Sequence, residues 1–405
     1  MKRFLVALVG FGLFALLTTR LFAQTDITSL SSPSLLATGG TTVGSISPYA
    51  NLLNPAASGG VQRAIFDVNY VGLAGVGPVS GLGNLFNGAL TVPTPVGVFS
   101  GSARYIGSSL AAYDFGSVGM FNLSFSKDIY SNLYVGAGLD FAIGGGGAWG
   151  LGLNLGFLDS PGDLWILKDF RWGAALRNIG KGYPATPGAM SGLATTPPAF
   201  TPALGASFNL VKTTGLTWGL TPDVSFPSLQ DVRLTMGTDL LFRDFLRIDA
   251  SYVVDLADIQ ASRARTIPFS VGVTVNLRTD IKKDVKFLGI TKNGWNTSTI
   301  AVSSGIAPLV NGIWAGGLGG TLTLGKRDTT PPVIVIDPPP YISPNGDGTL
   351  DNLPVSLKIT DQRYIEGYKL VIENEQSQTV RTIGESYTGP DSTGVKNFFD
   401  RIFSV

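Results

Sequence analysis

Residues 343–351, "SPNGDGTLD", place Asn345, Asp347 and Asp351 around two glycines. Hard oxygen ligands on a tight turn are the chemistry of calcium. Setting Gly348 at the sixth position of an EF-hand loop puts Pro354 at the twelfth, where a bidentate Glu is required, so the segment is not an EF-hand. Two readings stay open: a looser calcium site on Asn345, Asp347 and Asp351, or a surface turn built by Asn, Gly and Asp ahead of the next strand. No other cofactor is implied. The glycines at 144–147 lack the Lys-Ser/Thr ending of a phosphate loop and read as a turn. The acidic pairs Asp239 with Asp249 and Asp255 with Asp258 suggest acid/base work on paper. Spread over strand ends, they fit a solvated or lumenal lining better.

Composition narrows the chemistry further. The chain of 405 residues has no His and no Cys, which removes Ser-His-Asp triads, HExxH zinc sites and disulfide scaffolds. An enzyme is not expected. Lys+Arg 29 against Asp+Glu 28 leaves a net charge of +1, so no basic surface awaits nucleic acid. Only 14% of residues are charged while 53 are Gly, too apolar and glycine-rich for an ordinary water-facing globule.

The elements that would carry these residues begin with an export signal. Lys2 and Arg3 precede "FLVALVGFGLFALL", and Leu21 and Ala23 suit cleavage before Gln24, which assigns residues 1–23 to a signal peptide. That apolar run falls short of the ~20 residues a spanning helix needs. Downstream, the period is that of strands. In "IPFSVGVTVNLR", Phe269, Val271, Val273, Val275 and Leu277 share one face and Ser270, Thr274, Asn276 and Arg278 the other. "NLYVGAGLDFAI" and "LRIDASYVV" alternate likewise. Further strands are expected at 61–72, 97–107, 117–127, 148–158, 169–178, 202–212, 216–226, 230–241, 297–306 and 311–325.

A soluble sandwich and an outer-membrane barrel both use such strands. Runs of ten residues or more, and glycine-rich stretches such as "AWGLGLNLGF", favour a barrel whose oily face meets lipid. The fold class expected is therefore all-β, an antiparallel transmembrane barrel over 61–326. The prolines between 331 and 344 end it, so 327–344 reads as a linker. Beyond it, "VSLKIT" and "KLVIENEQSQTVRTIG" alternate as soluble strands with "NEQSQ" as their turn.

Two resemblances rest on short motifs. "NLLNPAASGGVQRAIFDVNYVGL", with Asn54, Pro55 and Ala56 soon after the signal, and "GAALRNIGKGY" resemble outer-membrane proteins of the FadL and PorV/PorQ type, including a treponemal-type relative. This resemblance implies a barrel of about 14 strands with residues 24–60 tucked inside as a hatch. Independently, Asn54 can cap a turn whose first position is Pro55. The segment from "DTTPPVIVI" through "KLVIENEQSQTVR" is similar to immunoglobulin-like domains of the FlgD type, placing a small β-sandwich at 345–405 whose last stretch, "NFFDRIFSV", looks truncated.

The FadL resemblance implies passage of hydrophobic small molecules of the long-chain fatty acid type, with a movable hatch. The PorV resemblance implies the alternative, a non-transporting scaffold for envelope or secreted proteins. Partners expected are thus an apolar ligand or lipid, the outer membrane, and envelope proteins met through the C-terminal domain. An even strand number puts that domain in the periplasm.

Overall fold

The computed structural model describes residues 27–41, 49–61, 63–76, 80–94, 96–110, 116–130, 132–144, 147–183, 200–229, 231–260, 268–280, 297–309, 312–324, 333–337, 356–360, 370–373 and 376–383. The chain divides into two units, Met1–Lys326 and Arg327–Val405.

The first unit is a closed antiparallel barrel of 14 strands in sequence order. These are β1 (Ala64–Gly75), β2 (Leu82–Thr94), β3 (Gly97–Ser108), β4 (Gly116–Tyr130), β5 (Leu133–Gly144), β6 (Trp149–Leu164), β7 (Leu167–Lys181), β8 (Thr201–Lys212), β9 (Leu216–Ser225), β10 (Arg233–Phe242), β11 (Leu246–Asp255), β12 (Phe269–Asp280), β13 (Thr297–Pro308) and β14 (Ile313–Leu324). Closure comes from β1 pairing with β14, Ala64 opposite Leu324, so no edge is left unpaired. The chain therefore enters and leaves the barrel at one end, here the terminal end. Turns there are short, for example 131–132 and 165–166, except for 281–296; the opposite loop end carries longer connections such as 182–200.

Alternation sorts the side chains as a lipid-embedded barrel requires. Leu139, Phe141, Val271 and Val273 point outward and are 40–53% exposed, while Asp249, Ser251 and Ser270 point inward and are buried. A sandwich is thereby excluded, because its oily face would be covered. Aromatic residues gird both ends, with Tyr70, Tyr105, Trp149 and Tyr252 toward the loops and Phe99, Trp172, Trp218 and Phe242 toward the termini. Strand β2 falls outside the stretches expected from periodicity. Pro93 closes its alternation and Asn84 interrupts its outer face, which masks a strand paired with both β1 and β3.

In β7, Arg177 and Asn178 together oppose Asn154, and Asn178 takes φ 57, a bulge at the Asn-Ile-Gly motif after which the strand runs on to Lys181. The Asn154 carboxamide oxygen accepts from the freed Asn178 amide at 2.8 Å, so the ladder group stays satisfied.

The second unit contains, among the described residues, two separate two-stranded antiparallel sheets. One pairs β15 (Val333–Asp337) with β16 (Ser356–Thr360), the other β17 (Leu370–Glu373) with β18 (Thr379–Ile383). Strands lie at "VSLKIT" and on both sides of "NEQSQ"; these two sheets alone do not establish an immunoglobulin-like sandwich. Asn345, Asp347 and Asp351 lie outside the described residues.

Candidate functional site

The lumen is occupied by the segment preceding β1. It carries a short helix, α1 (Pro33–Ala37), and 3-10 turns at Ile27–Ser31, Ala50–Leu52 and Pro55–Ser58. From Ile27 to Gln62 the sequence holds no charged residue. Leu30, Leu35, Leu36, Tyr49, Leu52, Leu53, Asn54 and Ala56 are all buried, so this stretch is a plug packed against the inner wall.

The Asn54-Pro55-Ala56 motif forms one of its two anchors. Asn54 caps the turn, its side-chain oxygen accepting from the Ala56 amide at 3.0 Å, and Pro55 supplies a preset φ at the first position. The other end of the carboxamide donates to the carbonyl of Phe157 on β6 at 3.0 Å. Ser126 on β4 donates to the Ala56 carbonyl at 3.4 Å. Where this turn meets the wall, Gly136 and Gly156 face each other across the β5 and β6 ladder. A Cβ on Gly136 would overlap the Pro55 and Ala56 backbone, and one on Gly156 would overlap the Asn54 side chain. The wall is pared to backbone so that the motif can seat.

A second anchor repeats the device and was not singled out in the sequence. Ser32 caps α1, its hydroxyl accepting from the Leu35 amide at 3.2 Å, and Pro33 takes the first helical position. Beneath lie Gly272 on β12 and Gly305 on β13, again direct ladder partners, where a Cβ would meet Ala37 and the Pro33 carbonyl. The signal was available. "SPSL" at 32–35 and "NPAA" at 54–57 share the cap-proline pattern. Between the anchors, Arg104 of β3 donates to the Ser31 hydroxyl at 2.9 Å.

The lumen is layered. Toward the loop end, Leu73, Leu85, Ile106, Val118, Ile313 and their neighbours form an apolar collar, and Leu30 and Leu36 of the plug complete it. Tyr183, where the longest loop begins, joins the collar, and burial pushes its hydroxyl pKa up. Deeper in, the wall turns polar. Asn69 donates to Asp67 at 3.0 Å, Asn122 to Asp140 at 2.7 Å, and Asn154 to the second oxygen of Asp140. Burial, with the Asp67 carboxylate beside it, holds the Tyr49 hydroxyl well above the usual phenol range, so it stays neutral.

Two gaps remain. One, about 490 Å³ including open solvent, lies between Leu52 of the plug and Arg104, Asp140, Asn178 and Lys181 of the wall. The other, about 310 Å³ on the same measure, lies between Ser29, Gly39 and Gly40 and the charged Arg177, Asp223 and Arg233. Neither is a continuous apolar passage. The pair Asp239 and Asp249, opposite one another in the ladder, shares Arg247, which approaches them at 3.9 and 2.8 Å. Bridged by one guanidinium, these carboxylates line the lumen as structural partners. Asp255 ends β11, and Asp258 falls in the short helix α2 (Leu256–Gln260).

No protein-family model and no curated protein matches the chain. Among solved structures it is similar to the Pseudomonas putida toluene transporter TodX, at 12% identity over 76% of this chain and 100% of that one, with TM-score 0.43. A Pseudomonas aeruginosa FadL homologue aligns at 13% identity over 76% of this chain and 98% of that one, with TM-score 0.39. The Acinetobacter baumannii outer membrane protein Omp33 aligns at 13% identity over 64% and 98%, with TM-score 0.36.

Proposed function

We propose that this barrel passes hydrophobic small molecules, of the long-chain fatty acid type, through the outer membrane, and that the plug is its moving part. The carrying observation is the collar, an apolar layer at the loop end whose last two members, Leu30 and Leu36, belong to the plug. Withdrawing them uncovers an apolar site in a wall that is polar below. The plug suits such movement. It is uncharged, so leaving its seat strands no ion pair in the lumen, and single hydrogen bonds from Asn54, Arg104 and Ser126 are among its ties to the wall.

The filled lumen favours a second reading, a non-transporting anchor for envelope proteins. Among the described residues the gaps between plug and wall carry charged groups, beside apolar ones in the larger, which suits a closed support as well as a resting gate. Purified barrel in liposomes, offered a labelled long-chain apolar probe, separates the two. Transport predicts saturable transfer with little ion conductance. Transfer no faster than in empty liposomes, for both the original chain and a plug-loosened variant, would leave the anchor reading in its place.

A further inference from the structure

The smaller lumenal gap, toward the loop end, has Ser29, Gly39 and Gly40 of the plug on one side and strands β7, β9 and β10 on the other. The plug turns sharply to make this wall. Gly39 and Gly40 take φ 69 and 74; a Cβ on Gly39 would overlap the Thr235 and Val253 side chains, and one on Gly40 would overlap Ser29. Their amides are spent within the plug, donating to the carbonyls of Leu36 and Leu35 at 3.3 and 2.9 Å. What faces the gap is therefore hydroxyls and charges.

The charges do not balance. Arg177 and Arg233 set two guanidiniums against the single carboxylate of Asp223. Asp223 lies over Gly205, its ladder partner, where a Cβ would run into the carboxylate, so it leans from β9 toward β8 and away from Arg233 on β10. Arg233 is only 9% exposed, and its Nε meets no hydrogen-bond acceptor. Ser225, opposite it on β9, brings a hydroxyl and no charge. Asp255, opposite it on β11, and Asp231, ahead of the strand, do not border the gap and hold bonds of their own.

A guanidinium buried to this degree is costly unless an anion compensates it. Water would satisfy the Nε–H and leave the charge; an anion answers both. The room narrows the choice. Its inner space is about that of one water molecule, which a chloride ion only slightly exceeds, and the described lining holds no apolar side chain on which the tail of an amphiphile could lie.

We propose that this gap binds a small monovalent anion of the chloride class, held between the Arg233 guanidinium and the Ser225 and Thr235 hydroxyls of the wall, with Ser29 and the Gly39–Gly40 turn closing over it from the plug. The anion fastens the plug to β9 and β10, and by linkage it stabilises the seated plug. The site is independent of whether the barrel passes solute.

The test uses the full chain in nanodiscs at constant ionic strength, with chloride exchanged for gluconate, which is too large for the gap. Chloride NMR should show line broadening above that of empty nanodiscs, saturating with chloride and reversed by bromide. The urea midpoint of the barrel should rise with chloride. Arg233→Gln should bind chloride at least about tenfold more weakly. Ser225→Asp supplies the missing carboxylate in place; it should keep the heat-modifiable gel mobility of the intact barrel yet lose both chloride responses, which keeps the test decisive if Arg233→Gln fails to fold. Absence of saturable broadening or of a midpoint rise in the original chain would overturn the proposal. Responses of equal size in Ser225→Asp would do the same.

Discussion

The Asn54 side chain donates to the carbonyl oxygen of Phe157 at 3.0 Å while its oxygen caps its own turn at 3.0 Å, so one carboxamide both shapes the plug and ties it to the wall's main chain. Because the tie is to backbone, wall side chains at this spot are free to vanish. Gly136 and Gly156 are the result, and the close approach they permit gives the seat its shape.

A methyl group should therefore unseat the plug where the same group elsewhere is harmless. Gly156→Ala places a Cβ into the Asn54 side chain, and overpacking of this kind costs about 1–3 kcal/mol. Gly320→Ala, on a position with open space around its Cβ, should cost nothing measurable. Urea unfolding in detergent or thin bilayers reads the difference, and equal midpoints for the two variants would contradict the seat.

The lipid face gives a second contrast. Val273 points outward on β12 and Thr274 inward, toward Arg247 across the ladder. Val273→Arg should impair folding into vesicles by roughly 2–4 kcal/mol, while Thr274→Gln keeps a polar side chain in a polar lumen and should fold near normally. If both variants folded equally well, the in-out assignment of β12 would be wrong.

How far the sequence disclosed this arrangement differs from element to element. Strands with strict alternation, such as β11 and β12, were legible down to the face each residue takes, because period 2 converts directly into inside and outside. Strand β2 was not, since Pro93 and outward Asn84 break its pattern and only the pairing with β1 and β3 makes it a strand. The Asn54 cap was readable because capping is local. Its seat was not, because Gly136 and Gly156 are meaningful only once β5 and β6 bring them opposite the motif.

Strand parity yields a prediction about compartments. Fourteen strands return the chain to the end where it entered, and at that end the turns are mostly two or three residues long, as periplasmic turns of such barrels are. Residues 327–405 should then be periplasmic. Protease added to intact cells should spare them, and cut them once the outer membrane is permeabilised. Ready digestion with the membrane sealed would place this end outside.

The two anchors should fail differently. Ser32 and Pro33 hold the helix next to Leu30 and Leu36, which close the collar, whereas Asn54 and Pro55 hold the plug deeper, against β5 and β6. Losing a cap costs about 1 kcal/mol, enough to populate an unseated state several-fold more without unfolding the barrel. Ser32→Ala/Pro33→Gly should thus open the apolar collar first, speeding transfer of an apolar probe into liposomes while ion conductance stays low, because the lower plug still blocks the polar lumen. Asn54→Ala/Pro55→Gly should release the lower plug from the polar wall and raise conductance in planar bilayers. Measuring both quantities on both variants decides whether the plug works as two gates in series. Identical changes in the two variants would reduce it to one rigid body, and no change in either would return it to a permanent filling.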